Sequence, residues 1–292
     1  MINVKQETSN NSDTENLSVT VAIPCYNAEK YLPVLLESLN RQTRLPEEII
    51  VVDDGSSDLT KEIAKNNDVK LIEHGVNRGL ASARNTALQN TKGNIVVFFD
   101  ADTIPHKKNL ERMLKEYKNS KIAGVGGQEF FLKSSKTIDL WRHLFWRQTH
   151  GNERINNAWM LMGLCCSFRK DRLIEIGGFD EEYRANGEDV DIGLRLTASG
   201  YSLVYLNEVG VHHRRTDNFK SMLSLVYRHS FWQSRALRKN GISPSNQIKK
   251  AFKWLFISTG SSITTHKNIR LMVVSPAFCL SAIAGRLMEL FY

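Results

Sequence analysis

Residues 94–103, NIVVFFDADT, restrict the possible folds more than any other part of this 292-residue chain. Ile95–Phe99 is an unbroken β-branched and aromatic run, the pattern of a strand buried on both faces as in parallel sheets. It ends in two carboxylates one residue apart, Asp100 and Asp102. In extended chain, residues i and i+2 point the same way, so both acids address one point while Ala101 points elsewhere. Open α/β sheets bind ligands beyond the carboxyl ends of their strands. Paired hard oxygens in that place suit Mg²⁺ or Mn²⁺, most usefully a cation that also holds a diphosphate. The plainer alternative is a turn that favours Asp, with Asp102 capping the helix after Pro105.

The chain around this stretch alternates strand and helix. Residues 17–24, LSVTVAIP, read as a first strand, followed by a helix to about residue 42 with Pro33 in its first turns, where a missing N–H costs least. Residues 48–54, EIIVVDD, are a second buried strand, and 55–58, GSSD, a turn able to cap the next helix. A third strand covers 69–73. Asn77-Arg78-Gly79 then leads into an Ala-rich helix, Leu80–Asn90, carrying Arg84, and a further helix spans about 107–119. This order implies right-handed βαβ units and an α/β fold with a mostly parallel sheet flanked by helices.

The middle is less regular. Residues 122–132 read as a strand, 137–148 as a helix, and 158–168, AWMLMGLCCSF, as an apolar segment placed to close a site. Next come GGFDEEYRANGEDVDIGLRL, feeding a helix over about 188–199, and a strand over 201–206 that leads to His212-His213-Arg214-Arg215. Trp141, Trp146 and Trp159, at helical or strand spacing, read as core, the alternative being a sugar-stacking surface.

Charge is unevenly spread. The net +8 conceals a tail, residues 214–292, with thirteen Lys and Arg against Asp217 and Glu289, so the preceding 213 residues carry −3. Such a tail points to an anionic partner surface. Residues 248–257, IKKAFKWLFI, form a basic amphipathic piece, whereas the apolar run over 271–284 is interrupted by Pro276 and is too short for a span. Helices lying on anionic lipid are the expectation, against the alternatives of an ordinary helical cap or a dimer surface. Nothing in the sequence supports a nucleic-acid partner. The four cysteines lack metal-ligand spacing and suggest a reduced, cytosolic compartment. Residues 1–16, polar and without an apolar core, read as a disordered lead-in.

Five segments, taken in order, resemble the family-2 group of inverting, nucleotide-sugar-dependent glycosyltransferases of the GT-A fold: VAIPCYNAEKYL (21–32), VVDDGSSD (51–58), NRGLASARN (77–85), FFDADT (98–103) and GGFDEEYRANGEDVDIGLRL (177–196). The resemblance covers roughly residues 17–215, leaving 216–292 as a basic helical region.

The resemblance implies roles. Asp54 with Asp53 would hydrogen-bond the base and ribose, UDP being the first choice of carrier, and Pro24, Tyr26 and Asn27 would line the base pocket. Asn77, Arg78 and Arg84 stand at a helix start, suited to phosphate or ribose contacts, although Arg84 is equally able to pair with a core-facing acid. Asp102 and Asp100 would be the pair that holds Mn²⁺ or Mg²⁺, Asp100 also reaching ribose or sugar, with His212 or its neighbour His213 a third ligand. Asp189 would be the catalytic base and Glu188 would position the acceptor; alternatively both acids merely complement a helix start. The Q-x-x-R-W text of processive polymerases is missing, Gln233-Ser234-Arg235-Ala236 being the nearest, which favours transfer of a single sugar. A glycan or lipid-linked acceptor at the inner face of the membrane fits the basic tail. A nucleotidyltransferase and a non-catalytic nucleotide-binding scaffold are the competing readings.

Overall fold

The computed structural model describes residues 17–131, 135–243, 249 and 269–289. The expectations for residues 1–16 and for the basic piece at 248–257 lie outside them, apart from Lys249. Among the described residues, eight strands form one sheet: β1 (Val19–Cys25), β2 (Glu48–Asp53), β3 (Lys70–Glu73), β4 (Ile95–Phe99), β5 (Thr103–Pro105), β6 (Ile122–Glu129), β7 (Cys165–Arg169) and β8 (Ser202–His213), in the order β3-β2-β1-β4-β7-β6-β8-β5. Strands β3, β2, β1 and β4 run parallel, as do β6 and β8. β7 lies antiparallel between β4 and β6, and β5 antiparallel on β8. The α/β fold and mostly parallel sheet are as expected, with a reversal at β7 that periodicity could not reveal.

Helices α1 (Leu32–Asn40), α2 (Thr60–Lys65), α3 (Leu80–Asn90), α4 (Asn109–Glu116), α5 (Thr137–Phe145), α6 (Lys170–Glu175) and α7 (Glu188–Ala198) connect the strands. Because side chains alternate across a strand, one core forms on each face. Val21, Ile23, Val97 and Phe99 pack with α1 and α4 on one side, while Ala22, Val96 and Phe98 pack with α3 and α7 on the other. All five residues of β4 are buried, as its unbroken apolar run requires. This fixes the point at which Asp100 and Asp102 emerge.

Helices α8 (Phe219–Lys239) and α9 (Ile269–Met288) follow β8 and pack against each other and α5. Trp141, Met222, Leu225, Val226, Leu271, Phe278 and Ala282 make their shared core. An Asn218–Ser221 capping box starts α8. The interruption expected at Pro276 does not occur: α9 runs through it. A proline inside a helix costs about 3 kcal/mol, which the packing of Leu271, Phe278 and Ala282 on α8 and α5 offsets. None of the helices among the described residues is long and apolar enough to cross a membrane.

Candidate active site

The carboxyl ends of β1, β2 and β4 open on the same edge of the sheet, and the turn after β4 is closed by the Thr103 N–H and hydroxyl, both donating to the Asp100 carbonyl at 3.1 and 2.7 Å. That turn presents Asp100 and Asp102 to a cavity of 690 Å³ lined also by Arg84, Glu188, Asp189 and His213, within the roughly 300–1,000 Å³ common for small-molecule sites.

Register decides which histidine participates. β5 pairs antiparallel with β8, Thr103 opposite His213 and Ile104 opposite His212. Successive residues of β8 face opposite sides, so His213 is buried with its Nε2 3.1 Å from Asp102 Oδ2. His212 is exposed and its ring lies against Phe130, 5.4 Å between centroids. The expectation of His212 as a ligand is corrected on this ground: it faces away from the carboxylates, and its neighbour takes the place. Behind His213 stands Glu129, wholly buried, whose carboxylate accepts from Arg142 and lies 3.6 Å from His213 Nδ1. Burial alone would lower the His213 pKa, but Asp102 and Glu129 raise it to about 10. Burial likewise pushes Glu129 up, yet His213 and Arg142 hold it down at about 2.

Arg84 is the hub of the opposite wall. It is 1% exposed, donates to Glu188 Oε1 at 2.7 Å, to Asp100 Oδ1 at 3.3 Å and to the Gly163 carbonyl at 2.9 Å, and its guanidinium carbon lies 5.6 Å from the ring centres of both Phe98 and Phe179. The ion-pair alternative for Arg84 is therefore the one observed, with Nε left without a partner. Glu188 is buried with it. Burial raises Glu188 to about 7, with Arg84 opposing. Asp189, one residue further along the first turn of α7, is only partly buried and lines the cavity. Its Oδ2 accepts from the Gly163 N–H at 3.2 Å and its Oδ1 from the Val190 N–H at 2.8 Å. Burial raises its pKa too. Gly187 precedes both acids at φ +90°, and a Cβ there would lie 2.8 Å from the Trp232 carbonyl, so α7 begins tight against α8.

The residues expected around a base lie on the neighbouring part of the same sheet edge, outside that cavity's lining. Asp54 is buried and occupied: Arg78 N–H and Gly79 N–H donate to its two oxygens at 2.9 and 2.8 Å, and His74 Nδ1 lies 2.7 Å away. Its carboxylate latches the loop before α3. Asp53 is fully buried, takes the Ser56 N–H at 3.2 Å and keeps Oδ1 without a partner. Asn27, at φ +51°, accepts from Ser57 N–H, tying β1's end to the turn after β2. Pro24 pairs with Val52, and Tyr26, Asn77 and Arg78 are exposed around the rim.

Trp141 is core, as expected, whereas Trp146 and Trp159 line the cavity, as the alternative of a stacking surface would have them; His150, Arg228 and Arg286 line it too and had no signal in the local pattern. Gln233 lines it as well; its only sequence signal was the partial match to the polymerase text. Residues 158–168 do border the site, through Trp159, Met160 and the Gly163 turn.

Comparison with known proteins bears on these features. The family described as glycosyl transferase family 2 matches residues 20–177, just over half of the chain. Glycosyltransferase AglE of Haloferax volcanii is 27% identical over 92% of this chain and 95% of its own length. The poly-beta-1,6-N-acetyl-D-glucosamine synthase of Staphylococcus epidermidis is 27% identical over 68% of this chain but only 49% of its own. Among solved structures, the mannosyltransferase PcManGT of Pyrobaculum calidifontis, in complex with GDP-Man and Mn²⁺, superposes with a TM-score of 0.66 at 19% identity over 95% of this chain and 88% of that one. GalNAc-T7 with UDP, GalNAc and Mn²⁺ does so with a TM-score of 0.59 at 16% identity, over 77% and 48%. The chain thus belongs to glycosyl transferase family 2, a glycosyltransferase built on the GT-A fold.

Proposed function

We propose that the protein transfers a single sugar from a nucleoside-diphosphate donor, UDP-linked as first choice, to an acceptor hydroxyl with inversion at the anomeric carbon. The observation that carries this reading is the convergence of Asp100, Asp102 and Asp189, from β4's turn and the start of α7, on one cavity.

The donor set fits a divalent metal. Asp102 with Asp100 and His213 offers two carboxylates and an imidazole, which suits Mn²⁺ better than Mg²⁺; His213 would ligate only as the neutral imidazole, so the metal would have to displace the proton that Asp102 and Glu129 favour there. Among the described residues the three are not drawn together as a preformed cluster. A bound metal would supply charge neutralisation for the departing diphosphate. The chain itself supplies the rest. Asp189 receives the proton of the attacking hydroxyl, its Oδ atoms aimed by the Gly163 and Val190 N–H groups, and its raised pKa strengthens it as a base. Arg84 and Glu188 act one layer back by fixing the start of α7. Asp53, with its unpartnered Oδ1, and Tyr26 at the rim are the groups we assign to the nucleoside. An acceptor at an anionic membrane surface, on its inner face, agrees with the basic tail and with Val273, Leu280 and Leu287, which recur every seven residues as an exposed apolar row on α9.

The test is Asp189→Asn, with nucleotide affinity and turnover measured together. Retained metal-dependent nucleotide binding with turnover reduced by orders of magnitude supports the assignment. Release of pyrophosphate instead of nucleoside diphosphate would reassign the reaction to nucleotidyl transfer. A thermal-shift panel of UDP, GDP and CDP with Mn²⁺ decides the carrier.

A further inference from the structure

One wall of the cavity carries the opposite charge from its carboxylates. Leu225, Arg228, His229 and Gln233 of α8 line it at helical spacing, joined by Arg147, two residues past the end of α5, and Arg286 from α9. Arg286 is partly removed from solvent. Its Nη1 donates to Ser230 Oγ at 3.1 Å and to the Ala282 carbonyl at 3.3 Å, both neutral, and burial depresses its pKa with no carboxylate to counter it. Among the described residues, no acid ion-pairs with Arg147, Arg228 or Arg286; nearby Arg215 and Arg238 are matched to Asp217 and Glu289. His229 adds no compensating charge, lowered to about 4 by burial, with Arg215 and Arg228 acting the same way.

A guanidinium partly withdrawn from water, as that of Arg286 is, costs stability without a counter-ion, and a bound anion would offset that cost. The fold takes steps to put the guanidinium there. A Cβ on Gly285 would lie 2.4 Å from the Tyr227 carbonyl, so only glycine permits α9 to seat Arg286 against α8. The wall stands next to the start of α7, in the same cavity as Asp189. Gly187, which begins α7, abuts Trp232, and Arg228 lies four residues before it, roughly 6 Å along α8. Trp146, whose ring is 6.4 Å from that of His229, provides apolar surface beside the cations.

From this arrangement we infer a phosphate subsite for the acceptor, formed by Arg147, Arg228 and Arg286, with the attacking hydroxyl held toward Asp189. The inference rests on the proposed transfer reaction and adds the chemical class of its acceptor: a phosphate ester, presented either by a lipid or by a soluble sugar phosphate.

The full chain is titrated with decyl phosphate below its micelle concentration, with glucose 1-phosphate and with decanol, each in the presence of saturating nucleotide and Mn²⁺. Binding of one phosphate ester without displacement of the nucleotide is the expected result, decanol giving none. Decyl phosphate alone identifies a lipid source, and glucose 1-phosphate alone a soluble one. Arg228→Gln, on an exposed position that tolerates change, and Arg286→Gln should each weaken that binding roughly tenfold or more with nucleotide affinity unaltered. Three results overturn the subsite: neither ester binds, the ester competes with nucleotide (the wall then grips the donor's diphosphate), or both variants bind as the parent does. Failure of the transfer reading shows separately, as absence of any metal-dependent nucleotide binding, while the ester titrations still report on the arginines.

Discussion

Replacing Arg84 by methionine keeps the length of the side chain and removes its charge. The guanidinium is 1% exposed and ties Glu188, Asp100 and the Gly163 carbonyl together. Its loss leaves Glu188, 3% exposed, as a buried carboxylate without a partner. Breaking one side of a buried pair costs about 3–5 kcal/mol, and at roughly 2–4 °C per kcal/mol the melting temperature should fall by roughly 6–20 °C. The deficit should depend on pH with a definite sign. Glu188 is already raised by burial to about 7 with Arg84 present, and removing Arg84 raises it further. A carboxyl whose folded pKa is raised contributes stability that is present below its unfolded value and lost as pH rises through the folded one. Arg84→Met should therefore be closer to the parent at pH 6 than at pH 8. Adding Glu188→Gln should recover much of the loss, because the double variant buries no lone charge. Differential scanning calorimetry of the four proteins at both pH values completes the cycle. An Arg84→Met melt within roughly 2 °C of the parent, or a deficit equal at both pH values with no coupling to Glu188, would refute the ion-pair account.

Three other outcomes are expected. Gly187→Ala meets both φ +90° and the Trp232 carbonyl at 2.8 Å, and should cost about 1–3 kcal/mol in urea denaturation; an unchanged midpoint would mean α7 and α8 yield easily. Glu129 is held near 2 by His213 and Arg142 against burial, so its contribution, about 3 kcal/mol, is present above about pH 4.5 and lost as pH falls toward 2, and Glu129→Gln should flatten the stability curve in that window. Trp141→Phe removes the indole N–H that donates to Ser275 Oγ at 2.9 Å inside the α5–α9 contact; a loss of about 1–3 kcal/mol is expected in equilibrium unfolding, and no loss would show that this bond contributes nothing net.

Local pattern was sufficient for the first half of the fold. Short β-branched runs bounded by turn residues, and helix starts between them, placed β1 to β4 and α1, α3 and α4 within a few residues, because each signal lies within a few positions of the chain. The same pattern put Asp100 and Asp102 at a strand's carboxyl end and the Glu188-Asp189 pair at a helix start. The late strand came out short in the reading, 201–206 against the observed Ser202–His213, because its second half pairs with β6 beyond a register shift and with β5, which lies about 100 residues earlier.

What the sequence determined by itself was the α/β class, the order of the βαβ units and the family, because each depends on residues close together in the chain. Tertiary structure decided which groups face one another. Asp54 became a loop latch and Arg84 a buried hub only once their partners, His74 and Glu188, had been folded beside them. His213 displaced His212 because strand parity, set by pairing with β5, allows one of two adjacent residues to face Asp102. The basic wall needed α9 seated on α8 through Gly285, a contact between segments some 58 residues apart that no local periodicity encodes. Burial and pairing belong to the contact, and the contact exists only in the folded chain.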